Sequence, residues 1–508
     1  MLKKIRIGLA VIMLCMITFY FLDFAGIVPA SFPNLARIQF VPALLSGSVG
    51  IFVLLLLLTF LFGRLYCSVI CPLGIFQDGI AWIARRVNAK KRYSFGKEQK
   101  VWRYSVLILV VVAFAFGGTI VVSLLDPYSA FGRMVVNVFR PVYMGVNNLL
   151  AAVFNHYGNY TFYHTEVFVL SLFALIAGLV TFLVVAILAY RHGRTYCNAI
   201  CPVGTVLGFV SRWSLFKVRI DPQACVGCGL CEKKCKAGCI ASKTKEIDHS
   251  RCVACYTCLS SCHKKAMSYR LNIRKVKIDK KVQATTDSSR RRFMAGVAVA
   301  ALAVPKKALA KRVAALESRQ AYEKKHPLSP PGSVSVEHLL DHCTACHLCV
   351  AKCPSRVLKP AFMVYGLGGL MQPLMNFEHG FCNFDCTVCA DVCPNQALLK
   401  LSKEEKHRLQ VGRVIFVLEN CIVHSHGTSC GACSEHCPTQ AVSMQPYKNG
   451  LTIPVVNPDI CVGCGGCEYV CPVRPFRAIY IEGNPVHRQA QAFKEAEKKE
   501  VQLDDFGF

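Results

Sequence analysis

Cys225-Val226-Gly227-Cys228-Gly229-Leu230-Cys231-Glu232-Lys233-Lys234-Cys235, followed by Cys252-Val253-Ala254-Cys255-Tyr256-Thr257-Cys258-Leu259-Ser260-Ser261-Cys262, decides how this chain is built. Three cysteines separated by pairs of residues put three thiolates on one short loop. The fourth lies a helical turn further on and points away from them. Three sulfurs on a loop hold three corners of an Fe4S4 cube, and the departing fourth reaches a neighbouring cube. The spacing therefore groups Cys225, Cys228, Cys231 and Cys262 around one [4Fe-4S] cluster, and Cys252, Cys255, Cys258 and Cys235 around a second. Zinc knuckles also use paired cysteines, but they leave the triplet-plus-one pattern unexplained.

Four more quartets follow: Cys343/Cys346/Cys349/Cys353, Cys382/Cys386/Cys389/Cys393, Cys421/Cys430/Cys433/Cys437 and Cys461/Cys464/Cys467/Cys471. Each ends in Cys-Pro, at Pro354, Pro394, Pro438 and Pro472, which is the bacterial ferredoxin form. The second of these stretches its first gap to three residues and the third to eight. Six quartets absorb twenty-four of the thirty cysteines, so the thiols belong to iron and not to disulfides, and assembly takes place in a reducing compartment. Cys15 reads as core, and Cys239 as a spare thiol or alternative ligand.

Upstream the chain is apolar. The 508 residues are 53% hydrophobic, and four stretches, roughly 5–22, 42–63, 104–125 and 166–190, approach the ~20 apolar residues that cross a bilayer. The formal charge of +29 reflects basic residues beside these stretches, which points to a membrane surface and not to nucleic acid. The 64–103 loop carries Arg64, Arg85, Arg86, Lys90, Lys91, Arg92, Lys97, Lys100 and Arg103, against Arg133 and Arg140 in 126–165. The positive-inside rule then puts the N-terminus, that loop and the 225–262 module in the cytoplasm. Residues 134–154, interrupted by Arg140-Pro141 and Asn147-Asn148, read as a helix on the outer surface. The expected fold is a membrane α-helical bundle of four spans (1–215), a two-cluster ferredoxin module (216–270), a linker (271–335), a four-cluster ferredoxin-like α+β domain (336–485) and a charged tail (486–508).

The linker contains Ser289-Arg290-Arg291-Arg292-Phe293-Met294, a modestly apolar stretch, and Ala308-Leu309-Ala310, the form of a twin-arginine export signal. Clusters are loaded in the cytoplasm, so a four-cluster domain destined for the outside must cross folded. A basic flank to a cytoplasmic linker is the competing reading.

Gly63-Arg64-Leu65-Tyr66-Cys67-Ser68-Val69-Ile70-Cys71-Pro72-Leu73-Gly74 recurs as Gly193-Arg194-Thr195-Tyr196-Cys197-Asn198-Ala199-Ile200-Cys201-Pro202-Val203-Gly204. Each copy follows an even-numbered span, so both lie at one membrane face. Cys67, Cys71, Cys197 and Cys201 supply the four thiolates of a shared metal or seventh cluster, a redox-active thiol set, or a structural corner. All three readings stand open on sequence.

With four spans, two Cys-x3-Cys-Pro motifs and a two-cluster tail, residues 1–270 resemble NapH-type membrane polyferredoxins. Residues 289–485, with the arginine signal and four motifs, resemble NapG-type exported ferredoxins. The two are partners in the quinol dehydrogenase serving periplasmic nitrate reductase, and the chain looks like their fusion. It departs from them where Cys235 and Cys262 lack a following Pro. The resemblance implies oxidation of quinol from the membrane pool and delivery of electrons through six [4Fe-4S] clusters to a periplasmic reductase or cytochrome. It implies a multi-pass protein of the cytoplasmic membrane that is exported in part by the twin-arginine translocase. Resemblance to the four-cluster subunits that escort molybdenum reductases further implies that outer motifs exchange their fourth ligands with each other, and inner motifs likewise. That gives Cys343/Cys346/Cys349 with Cys471, Cys461/Cys464/Cys467 with Cys353, Cys382/Cys386/Cys389 with Cys437, and Cys421/Cys430/Cys433 with Cys393. Asp126, Tyr128, Arg133, His156, His164 and Glu166 are outer-face candidates to accept quinol protons. The alternatives are a cytoplasmic ferredoxin-to-quinone reductase and a copper-reducing maturation factor.

Overall fold

The computed structural model describes residues 1–23, 26–28, 32–88, 93–96, 98–167, 169, 171–271 and 321–491. The arginine motif at 289–294 and almost all of the charged tail lie outside the described residues.

Among the described residues two helices are long and apolar enough to cross a membrane: α1 (Leu2–Leu22) and, further along, Leu172–His192. The expected second stretch becomes a short helix, α2 (Val49–Phe62), because Gly47 and its serine neighbours end the helical turns before it. The basic loop after it holds the amphipathic α3 (Pro72–Val87). The expected third stretch is broken at Gly117-Gly118 into α4 (Lys100–Ala115) and α5 (Thr119–Leu125), Gly117 taking a left-handed φ of 72°. Beyond Asp126, whose carboxylate caps the Ser129 amide at 2.8 Å, the chain bends by 68° into α6 (Pro127–Met134), a π turn and α7 (Arg140–His156). α5 and the helix after the bend together make a third candidate span. The long helix Leu172–His192 is α8, and α9 (Pro202–Ser211) follows the second motif copy.

The 216–271 module is closed by the antiparallel pair β1 (Phe216–Ile220) and β4 (Met267–Leu271), with the short β2 (Ile240–Ala241) and β3 (Glu246–Ile247) between them. The 321–491 domain carries three antiparallel pairs. They are β5 (Leu358–Pro360) with β6 (Pro373–Met375), β8 (Val442–Pro446) with β9 (Thr452–Val456), and a long ribbon of β7 (Leu409–Phe416) with β10 (Ile479–Gln489).

The two cysteine-rich modules sit at opposite ends of α1. Near its start, Lys3 Nζ donates to Ser260 Oγ at 3.3 Å, and Arg6 reaches into the packing beneath the 216–271 module. Just past its end, Asp23 receives Lys352 Nζ at 2.5 Å from the four-quartet domain. Twenty-one residues of helix separate these contacts, a rise of about 30 Å, comparable with the hydrocarbon thickness of a bilayer. The seam with the larger domain is polar and buried. Thr119 Oγ1 donates to the Leu340 carbonyl (2.6 Å), Ser129 Oγ to Thr344 Oγ1 (2.8 Å), and Asn137 Nδ2 meets His347 Nδ1 at 3.0 Å. Gly132 lets the two backbones touch, since a Cβ there would lie 2.5 Å from the Cys346 carbonyl.

Candidate iron-sulfur sites

In four of the six loops the residues flanking the middle cysteine both take positive φ: Gly227/Gly229, Ala254/Tyr256, Ala345/His347 and Gly463/Gly465. Left-handed backbone is uncommon away from glycine and gathers where function over-determines it. Here it curls the loop so that amides face sulfur: the Ala345 N–H donates to Cys343 Sγ and the Gly463 N–H to Cys461 Sγ, both at 3.4 Å. The two loops without the curl are those with widened gaps.

In the smaller module, Cys225, Cys228, Cys231 and Cys262 line one cavity. Cys252, Cys255, Cys258 and Cys235 line another, and Cys239 stands beside Cys235 with its sulfur 3.6 Å away. The hydrogen bond from Cys239 outweighs burial and lowers the Cys235 thiol to about 6, which favours the thiolate that iron requires.

The larger domain groups its thiols differently from the expected exchange. Burial raises the Cys343, Cys346 and Cys349 thiols, Cys346 to about 12, and the charge that adds to it in all three comes from Cys393. Their expected partner was Cys471. Burial likewise raises Cys382 and Cys389, and Cys353 and Cys386 are the thiols whose charge adds to it in both. Cys386 is therefore corrected together with Cys382 and Cys389: the sequence reading paired Cys386 with Cys437, whereas the structure puts it in one group with Cys353. The wide loop that carries Cys386 is tied down by Lys406, whose Nζ donates to the Cys386 carbonyl and to the Asn383 carbonyl at 2.5 Å, and this holds the triplet on the Cys353 side. Cys471 shares a cavity with Cys421, Cys430 and Cys433, which were expected to take Cys393. Cys437 faces Cys461, Cys464 and Cys467, which were expected to take Cys353.

The fourth cysteine of each motif is thus grouped with the triplet of the consecutive motif, first with second and third with fourth, instead of outer with outer and inner with inner. The reason is local: the β5–β6 and β8–β9 hairpins sit between the two motifs of each pair and fold the chain back on itself. The groups then form a file. Cys349 neighbours Cys389, Cys464 neighbours Cys382, and Cys467 neighbours Cys433. Among the described residues no three metal-ligating side chains close to the spacing of a single ion.

The duplicated motif folds into a pseudo-twofold site. Cys67, Cys71, Cys197 and Cys201 are all buried, and burial followed by the negative charge of Cys197 raises the Cys71 and Cys201 thiols. Each copy's arginine crosses to the other: Arg64 Nη2 donates to the Cys197 carbonyl (3.1 Å) and Arg194 Nη1 to the Cys67 carbonyl (2.6 Å). The matching glycines make room for this exchange. A Cβ on Gly74 would lie 2.3 Å from the Cys67 carbonyl, and one on Gly204 would lie 2.1 Å from the Cys197 carbonyl and 2.8 Å from Arg64. Pro72 and Pro202 open the helices that follow, and Gln77 Nε2 donates to Cys197 Sγ at 3.3 Å. Both arginines are fully buried beside the thiols, and their charge opposes the rise that burial causes. That suits a tetrathiolate centre.

This quartet lies between the two modules. On one side Asp78 binds Arg194 (2.6 Å), Arg6 (2.9 Å) and Lys236 of the smaller module (2.6 Å), and Arg64 donates to the Ser250 carbonyl at 3.1 Å. On the other, Tyr196 Oη donates to the Leu125 carbonyl at 3.2 Å, next to Asp126. Arg133 bridges from there to the Ala345 carbonyl at 3.4 Å, beside Cys346. Asp78 was not legible as functional, because an acid inside an amphipathic helix reads as a solvated face until its three cations are seen. Of the outer-face candidates, Asp126, Tyr128 and Arg133 are buried at the seam. Glu166 is 87% exposed and pairs with Arg356 at 3.1 Å. His156 and His164 are exposed and meet none of the thiol groups.

A 4Fe-4S binding domain family matches residues 47–90 and 173–221, the two copies of the duplicated motif. Two 4Fe-4S dicluster domain families match 248–357 and 428–474. Among curated proteins the chain is 30% identical to the ferredoxin-type protein NapF of Escherichia coli over 157 residues, which is 31% of this chain and 87% of that protein. It is 31% identical to the ferredoxin-type protein NapG of the same organism over 153 residues, 28% of this chain and 65% of that protein. It is 27% identical to the putative electron transport protein YccM over 222 residues, 44% of this chain and 55% of that protein. No solved structure matches.

Proposed function

Since the chain belongs to the family of ferredoxin-type iron-sulfur proteins that includes NapF and NapG, we propose that it is a membrane-bound relay. In this reading it oxidises membrane quinol and passes the electrons to an acceptor, a reductase or cytochrome, on the outer side of the cytoplasmic membrane. The observation that carries the reading is the placement of cysteine groups at both ends of α1 with the buried quartet between them. Two stations about 30 Å apart are too distant for one electron step, and a midpoint centre divides the gap.

The residues present fit the group. Six thiol sets, each of four cysteines, are the ligands of six [4Fe-4S] clusters, and Cys67, Cys71, Cys197 and Cys201 hold a seventh iron-sulfur centre. When bound, these clusters supply one-electron storage at graded potentials. The chain's own residues hold the thiols at fixed separations, bring amides to sulfur, and exclude water from the quartet. In this reading the 216–271 module lies on the cytoplasmic side and 321–491 outside, delivered by the arginine motif at 290–291. A reductase confined to the cytoplasm would place both modules on one face, and a copper-reducing factor would have no use for a file of four outer groups.

Iron analysis of anaerobically purified protein tests this reading: seven centres give about 28 irons per chain, and about 24 would leave the Cys67, Cys71, Cys197 and Cys201 quartet without a cluster. Serine at Cys67, Cys71, Cys197 and Cys201 together should leave the six sets loaded and stop electron exchange between the modules. Unimpaired exchange would refute the bridging role.

A further inference from the structure

A cavity of about 840 Å³, against 20 to 40 Å³ for four pockets lined by the cysteine sets, lies in the seam between the membrane helices and the outer cluster domain. Its walls include Tyr20 and Asp23 from the end of α1, Arg37, Arg140 from α7, and Lys352 and Cys353 from the cluster domain. Cys353 is the fourth thiol of the set formed by Cys382, Cys386 and Cys389, so whatever occupies this space touches a cluster ligand.

Two polar atoms here are buried and unpartnered: Tyr20 Oη, on a side chain 3% exposed, and Arg140 Nε. Such atoms are costly unless something meets them. Asp23 is already committed, to Lys352 at 2.5 Å and to the Ile27 and Val28 amides at 3.2 and 3.3 Å. With Asp23 set against Lys352, Asp391 against Lys400, and Arg356 paired with Glu166, Arg37 and Arg140 leave the cavity positive. Val136 and Met144 make an apolar wall, and α7 turns Val142, Val146 and Leu149 outward, 50 to 66% exposed, as a lipid-facing helix does. The space is thus amphiphilic, of small-ligand size, bordered by a helix with an exposed apolar face, and adjacent to a cluster ligand.

We propose that this cavity seats the head group of a membrane hydroquinone, its ring oxygens at Tyr20 Oη and Arg140 Nε and its isoprenoid tail along α7. The inference rests on the relay reading above and adds the place where electrons enter. In the reaction both hydroquinone O–H bonds break and the ring becomes the quinone. The two electrons leave one at a time into the iron-sulfur set at Cys353, and the two protons go to water on that face. The arginines ease the deprotonation by stabilising the oxyanion. Electrons enter at the second outer group, so the direct route leads along the outer file, while the buried quartet links that file to the opposite face.

The test uses full-length protein in phosphatidylcholine nanodiscs titrated with 2-heptyl-4-hydroxyquinoline N-oxide, a fluorescent hydroquinone analogue, with quenching as the readout. The expected result is saturable binding, weakened about tenfold or more by Arg140→Met, which removes the donor, and by Met144→Trp, which narrows the cavity. Iron content and dithionite reduction should be unchanged in both. Equal binding by both variants, while menadiol still reduces the clusters, would overturn this site and leave the relay reading intact. Displacement of the probe by phosphatidylglycerol but not by menadiol would overturn it in favour of a lipid head-group site. Failure of menadiol to reduce the clusters of wild-type protein would instead refute the relay's quinol chemistry.

Discussion

Asp78→Asn tests how the smaller module is locked onto the buried quartet. The carboxylate is 9% exposed and holds Arg194, Arg6 and Lys236 at 2.6, 2.9 and 2.6 Å, so one side chain joins α1, the second motif copy and the cluster module. Asparagine keeps the shape but leaves three cations buried without a counter-charge. Breaking one buried pair in this way costs about 3–5 kcal/mol, a large part of the ~5–15 kcal/mol that holds a domain folded. Glu166→Gln is the control: loss of this 87% exposed partner of Arg356 should change stability by about 0–1 kcal/mol. Pulse proteolysis in urea, following release of the 216–271 module, reads both. Burial would raise the Asp78 carboxyl, but Arg194 and then Lys236 overcome it and hold it far below the usual range. With the folded value depressed, the stabilisation is full above the ordinary carboxylate pKa of about 3.9 and is lost only as pH falls below it. The deficit of the variant should therefore be constant from pH 8 to 5. A loss within ~1 kcal/mol of the Glu166→Gln control would refute the reasoning.

Two further outcomes separate the structure's groupings from their alternatives. Gly204→Ala, whose Cβ would sit 2.1 Å from the Cys197 carbonyl, should destabilise by about 1–3 kcal/mol or more and disrupt the crossed arginines. Cysteine-accessibility labelling of Cys197 checks it, and continued protection would show that the two copies are not interlocked. Cys393→Ser should perturb the centre of Cys343, Cys346 and Cys349 and spare that of Cys421, Cys430 and Cys433, as read by electron paramagnetic resonance of the reduced protein. The reverse pattern would restore the inner-with-inner exchange.

Much of the site was visible in the spacing. The triplets mark each loop, and a departing fourth cysteine reaches a neighbouring group by helix geometry alone. Which neighbour it reaches was not, for that depends on the hairpins that fold the chain between consecutive motifs, and those hairpins are too short to read from propensity. The repeat was legible as a repeat, whereas its crossed arginines depend on tertiary approach between Gly74, Gly204, Arg64 and Arg194. Apolar length misled at 104–125, where Gly117 breaks the helix. The seam cavity has no sequence signature, because Tyr20, Arg140 and Cys353 come from three distant segments.

The central claim is that the two cluster modules face opposite sides of one membrane. Single cysteine-free reporter tags, one replacing part of the 243–246 turn and one after residue 491, probed with a membrane-impermeant protease in right-side-out spheroplasts, test it directly. The account predicts that the tag after 491 is cleaved and the tag at 243–246 is protected until the membrane is opened. Protection of both tags would contradict it, placing all the clusters in the cytoplasm and removing the electron path across the bilayer.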